Sequence, residues 1–214
     1  MMIQISHEDI MAMQKLERVH FVNSLIGFKS VCLVGTQDVS GQTNCAIISS
    51  LTHIGSQPPL FAIIFRPAVV DRHSLENIIN TGFYTVNHIH RDIYQKAHQT
   101  SARYDRFVSE FEATGLHPEF KNGFFAPFVK ESRIQIALEF RERLDLKINN
   151  TVMIIGEVKQ VYLPEESLQI DGFIDLEKAG SLTCSGLDSY HKTERVDRLS
   201  YAKPDKELKS IEVS

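Results

Sequence analysis

The chain has no tryptophan and only three cysteines in 214 residues, and several familiar catalytic signatures are missing. Cys32, Cys45 and Cys184 are odd in number and far apart, with no Cys-x-x-Cys and no zinc-ligand spacing. They read as buried free thiols of a reducing compartment, not as a disulfide framework. No Gly-x-Gly-x-x-Gly, Walker-type phosphate loop or Gly-x-Ser-x-Gly occurs, so neither a Rossmann dinucleotide unit nor a serine-hydrolase elbow is supported. No apolar run approaches the length of a membrane span. Met1 to Asp9 carries no basic region followed by an apolar stretch, so it does not read as a signal peptide. A soluble, cytoplasmic protein is expected.

Excess positive charge is also lacking. The 23 basic against 27 acidic residues give −4, which offers no electrostatic support for nucleic-acid or anionic-membrane binding. Nine histidines are present, and His88, His90 and His98 fall close together. No carboxylate or cysteine stands at a ligand spacing beside them, so a metal site is not expected.

What is there is ordinary globular composition, 43% hydrophobic and 23% charged, with no repeat and no compositional break. A single domain over 1–214 is expected: a helix over about 6–22, a barrel over about 28–164 and an extension over about 165–214. Ser6 with Asp9 reads as a capping box opening the first helix, whose Ile10, Met13, Leu16 and Phe21 would form an apolar face.

Residues 30–49 read as a hairpin turning at Asp38–Gln42, and Leu60–Phe65 as a buried strand ended by Arg66-Pro67. Ser74 reads as the cap of a helix stopped by Gly82, and Ser109 with Glu112 as a second capping box. Phe83–Asn87 returns to strand. The alternation over Arg133–Arg141, repeated over Leu144–Ile148, predicts half-buried antiparallel strands. Thr151–Leu163 is a long strand with Gly156 marking a bulge or bend. A short helical piece is expected to end at Ala179-Gly180. Strands with helices inserted irregularly argue for a mainly β domain, most simply a barrel, over a doubly wound parallel sheet.

Anion-friendly side chains stand at the ends of these elements: Ser49, Ser50 and Thr52, then Arg66, then Arg72 and Ser74 at a helix start, then Asn87. Each has an ordinary structural explanation: a strand exit, a surface residue, a cap, a turn former.

Their order is more specific. Asn44-Cys45-Ala46 before Ser49-Ser50, Pro58-Pro59-Leu60, Arg66-Pro67, Arg72-His73-Ser74, Thr81-Gly82, Val86-Asn87, Ser109–Leu116, Gly156-Glu157-Val158 and Gly186–Tyr190 resembles the flavin reductase-like family of FMN-binding split-barrel proteins. The resemblance spans roughly residues 22–204. It implies a split β-barrel of Greek-key type that binds FMN, with FAD as the variant, and takes hydride from NADH or NADPH bound transiently against the flavin. It also implies a homodimer with the flavin near the subunit interface, and a monooxygenase as a possible partner.

Carried onto this chain, the resemblance gives the phosphate to Ser49, Ser50, Thr52, Arg72 and Ser74, a set suited to a dianion, with Arg66 a further cofactor-binding candidate. It runs Asn44, Cys45 and Ala46 beside the ring, where donors favour the anionic reduced form. It offers Asn87 and His98 to the ring or ribityl chain, and Tyr190 to cover the ring. No side chain is required as an acid or base, so no catalytic residue is named. Two departures stand out. Gly27–Ser30 replaces a Pro-Arg-Pro-like segment, and Arg133 replaces a proline after Glu131-Ser132. An electron carrier or flavin store without turnover fits the same residues, as does a barrel for another phosphate-bearing ligand such as pyridoxal phosphate.

Overall fold

The computed structural model describes residues 1–67 and 72–211. It opens with two helices, α1 (His7–Ala12) and α2 (Lys15–Leu25), followed by β1 (Lys29–Ser30), β2 (Cys32–Gln37), β3 (Thr43–Ile48), β4 (Thr52–Ser56) and β5 (Pro59–Phe65). Next come α3 (His73–Thr81), β6 (Phe83–His88), α4 (Tyr94–Gln99), α5 (Glu110–Thr114), β7 (Pro118–Glu119), β8 (Phe128–Val129), and the long strands β9 (Gln135–Leu146) and β10 (Thr151–Tyr162). A 3₁₀ turn at Glu165–Ser167 precedes β11 (Thr183–Ser185) and β12 (Ser189–His191).

Seven strands form one antiparallel sheet in the order β3-β2-β6-β9-β10-β5-β4. Its two edges, β3 and β4, are consecutive in the chain and separated only by Ser49, Ser50 and Leu51. So short a link forces the sheet to curl until its edges nearly meet, which is the split of a split barrel. Ser50 spans the gap: its hydroxyl donates to the Ile64 carbonyl at 2.9 Å and accepts from the Ile64 N–H at 3.2 Å.

Inside the curl lies one core, with Val34, Ile63, Tyr84, Leu138 and Ile154 from the sheet and Leu75 and Ile78 from α3. Outside it, between the β3 end of the sheet and α4, α5 and β11, lies a second, with Leu33, Cys45, Ile89, Ile93, Phe111 and Cys184. Alternation along β2 sends Val34 to one core and Leu33 to the other, as a strand buried on both faces requires.

Several local expectations hold. Ser6 and Asp9 exchange the two capping-box hydrogen bonds, at 2.8 and 3.1 Å. The β2–β3 turn is closed by Asp38 Oδ1, which accepts from the Ser40 and Gln42 N–H groups. Gly82 ends α3 in the left-handed region, φ 80°.

Others are corrected. The first helix is two, broken at Met13-Gln14, where Arg18 Nη1 donates to the Met11 and Met13 carbonyls; neither helix has a buried residue. Arg72, not Ser74, occupies the cap position of α3. Ser109 stands before α5 without capping it, because its hydroxyl bonds Thr43 Oγ1 at 2.8 Å. Ala179-Gly180 closes a run of hydrogen-bonded turns, not a helix.

Candidate functional site

As a sheet edge, β3 has outward N–H groups with no strand to take them. Side chains from the segment after β6 satisfy two. Cys45 N–H donates to Glu110 Oε2 at 3.1 Å, and Ile47 N–H to Thr100 Oγ1 at 2.9 Å. Glu110 is 8% exposed. Burial raises its pKa, opposed by the Cys45 N–H, its own N–H and the His73 ring. The Cys45 thiol is itself pushed well above its usual range by burial and then by Glu110 and Glu131, which makes it an inert core group.

At the Thr43 end of β3, Asn44 reaches the first turn of α3. Its amide lies 2.7 Å from Ser74 Oγ, and both residues are buried. Beside them Arg72 begins α3, and its Nε is buried with no hydrogen-bond partner among the described residues. Burial lowers the Arg72 pKa first, and the Arg66 and Arg103 guanidiniums lower it further. Among the described residues, none of these three arginines is in an ion pair. Like charges gathered around that donor, at the start of a helix, are chemistry that an anion would satisfy.

At the Ile48 end the surroundings differ. Ser49 lies against the Cys184 thiol, which burial raises while Lys29 and Ser49 ease it. Cys184 is paired across β11 and β12 with Tyr190. Tyr190 Oη and His98 Nδ1 share a 2.8 Å hydrogen bond, and the Tyr94 ring lies 5.5 Å from the Tyr190 ring. Burial, then Cys184 and Asp188, push the Tyr190 phenol up to about 12, so it stays neutral. The two ends are five strand residues apart, roughly 17 Å. A ligand with a planar ring at one end, a phosphate at the other and a polyol chain between matches that layout.

Residues 28–173 match the family described as flavin reductase like domain. The chain belongs to that family. In the flavin reductase-like family its likeness to solved structures is extensive. A split-barrel protein of Shewanella frigidimarina NCIMB 400, described as a flavin reductase, is 50% identical, with 94% of this chain and 100% of that one covered and a TM-score of 0.91. Nitrilotriacetate monooxygenase component B from Bacillus cereus is 20% identical over 93% and 99% of the chains, TM-score 0.81. Flavoredoxin of Desulfovibrio vulgaris (Miyazaki F) is 23% identical over 84% and 92%, TM-score 0.69. The last two establish likeness of fold.

Within this member of the flavin reductase-like family, the residues singled out from sequence fall into groups. Asn44, Ser74, Arg72 and Arg66 gather at the start of α3, and Ser49, His98 and Tyr190 at the opposite end of β3. Cys45 and Ala46 lie on the strand between them. Ser49 and Ser74 thus lie against different neighbours, Cys184 for the one and Asn44 for the other. Ser50 links β5 to the split, and Thr52 is an exposed first residue of β4.

Asn87 is corrected as well. It is 0% exposed, its amide donates to the Leu33 carbonyl and Thr85 Oγ1, and its Oδ1 accepts from Val129 N–H, so it is a core tie. Glu110, Thr100 and Arg103 were not legible as site residues. Nothing in the spacing of Ser109–Thr114 separates the buried Glu110 from Glu112.

Proposed function

We propose that this chain binds FMN along β3 and passes to it the hydride of NADH or NADPH. The phosphate lies at the start of α3, on Arg72, Ser74 and the helix N–H groups, with Arg66 and Arg103 adding charge. The Arg72 Nε within that arginine cluster carries the reading: it is buried with no acceptor among the described residues, which fits a ligand that brings one. The ring end falls towards Ser49, with Tyr190 and His98 as its neighbours. Bound flavin supplies the redox chemistry, accepting hydride and passing electrons on. The chain supplies position: β3 gives a rigid flank, and the hydrogen-bonded Tyr190–His98 pair adds a polar wall. FAD is the alternative flavin. A homodimer, a cytoplasmic location and a monooxygenase as the consumer of reduced flavin complete the proposal.

The test begins with flavin absorbance of the purified protein and titration with FMN and with riboflavin, which lacks the phosphate. Arg72→Ala is expected to weaken FMN about 10- to 100-fold, the value of a charge-assisted phosphate contact, and to leave riboflavin unchanged. Equal losses for both ligands place the phosphate elsewhere. Anaerobic NADH or NADPH should then bleach bound flavin. Bleaching by dithionite alone identifies an electron carrier.

A further inference from the structure

The segment between α4 and α5 is tied to β3 at both ends of that strand. Thr100 Oγ1 accepts from Ile47 N–H at 2.9 Å, and Ser109 Oγ lies 2.8 Å from Thr43 Oγ1. The two ties are four strand residues apart, roughly 13 Å, whereas the nine-residue step from Thr100 to Ser109 can reach roughly 30 Å. The chain between them therefore arches away from the strand. Arg103 is exposed, and Phe107 at 87% exposure shows that the arch is not packed down on either core. It is pinned part-way along, where Arg106 pairs with Glu76 in the first turn of α3. On the α4 side the Tyr104 hydroxyl accepts from Gln99 Nε2 at 3.2 Å. So held, the arch brings the Arg103 charge to the α3 end of β3, where Arg72 feels it.

Charge at that end exceeds what one phosphate uses. A phosphate monoester carries about −1.5 to −2 near pH 7. Arg66 and Arg72, with the start of α3, already match it. Arg103 is a third guanidinium, and among the described residues it is in no ion pair, with Asp105 of the same arch or with any other carboxylate. The proposed reaction brings a second phosphate-bearing ligand. Its nicotinamide must meet the flavin ring, at the Ser49 end of β3. Two riboses and a pyrophosphate separate nicotinamide from adenosine, so a donor laid along β3 delivers its adenosine to the α3 end, beside Arg103. NADPH differs from NADH only by a phosphate on the adenosine 2′ oxygen, a group that a guanidinium fork is shaped to hold.

We propose that Arg103 takes the adenosine 2′-phosphate of the donor and makes this chain selective for NADPH over NADH. The assignment rests on the flavin reading above and deepens it by naming the donor. Arg103 adds charge to the flavin phosphate through space, while its N–H groups go to the donor's phosphate as charge-assisted hydrogen bonds. No bond is made or broken at this side chain; it determines specificity.

The test uses the full chain loaded with FMN and two probes that lack nicotinamide, adenosine 2′,5′-bisphosphate and adenosine 5′-phosphate, titrated by calorimetry. Wild type is expected to bind the bisphosphate about tenfold or more tightly, the value of one charge-assisted phosphate contact. Arg103→Ala, which takes nothing from either core, should cut that preference to about threefold or less. Anaerobic reduction of the bound flavin, followed by stopped flow at saturating FMN, should show a matching preference for NADPH over NADH that falls by the same factor in the variant. Equal affinity of wild type for the two probes, or an undiminished preference in Arg103→Ala, overturns the assignment. So does a bisphosphate that binds only when FMN is absent, because the arginines then serve one phosphate alone. Should neither probe bind measurably, the NADPH-to-NADH ratio of flavin reduction decides by the same factors. A protein that takes up no FMN overturns the flavin reading instead.

Discussion

Gly156 shows how one missing methyl group sets a strand's path. A Cβ at that position would lie 2.1 Å from Tyr84 Oη and 2.8 Å from its Cζ. The β9–β10 register shifts between Ile155 and Gly156, so the strand bends where the tyrosine of β6 presses against it. The Tyr84 hydroxyl is fully buried and has no partner among the described residues, and burial raises its pKa well above the usual phenol range. Gly156→Ala is expected to cost about 3 kcal/mol, the upper end for overpacking, measured by urea unfolding. Tyr84→Phe should be neutral or add about 1 kcal/mol, because it deletes an unsatisfied donor. Together they should lose less than Gly156→Ala alone, since the nearest clash has gone. Simple additivity would show that Oη is not what Gly156 makes room for. The bend itself was readable from a glycine inside a β pattern. Its cause was not, because Tyr84 lies on another strand, and a single sequence does not say which residues face each other across a core.

The strand β3 shows how far elements were legible. Its hairpin with β2 followed from turn chemistry between two apolar runs, and turn chemistry is local. Its being an edge, and what covers that edge, depends on a hydroxyl 53 residues later and a carboxylate 65 residues later, neither marked out by local sequence. The same competition explains the missing cap at Ser109, whose hydroxyl is drawn from the helix by Thr43, whereas Ser74 fails to cap because α3 already begins at His73 with Arg72 before it. Thr100 carries a testable share of this arrangement. Its Oγ1 accepts from Ile47 N–H and donates to the Ala97 carbonyl at 2.8 Å, at 4% exposure. Thr100→Val preserves shape but strands the Ile47 N–H. It is expected to cost about 1–3 kcal/mol of stability and to speed hydrogen exchange at Ile47. Unchanged exchange there would mean that the edge is protected by something other than this hydroxyl.

The whole molecule leaves apolar surface at its amino-terminal end that its own fold does not use. No residue of α2 is buried, and Leu16, Leu25, Ile26 and Phe28 are exposed at 73%, 65%, 71% and 68%. A helix in water needs tertiary packing to be stable, and an eleven-residue helix whose Val19 and Phe21 are only half-buried has little of it within its own chain. Its carboxy-terminal end also borders the site: a Cβ on Gly186 would lie 3.2 Å from Ser24 Oγ, and Gly186 accepts from Lys29 and precedes β12 with Tyr190. A second copy packed over α2 would therefore cover the apolar residues and stiffen the Tyr190 wall together. The homodimer is accordingly expected in solution at micromolar concentration, with an interface of at least ~1,200 Å². Leu25→Glu combined with Ile26→Glu puts two charges on exposed positions and removes nothing from either core. It should leave thermal unfolding of the barrel in place, halve the mass seen by sedimentation, and weaken flavin binding through the Tyr190 end. If the double variant still sediments at twice the chain mass, the helices are not the interface. If the wild type itself sediments as one chain, α2 must find its packing elsewhere.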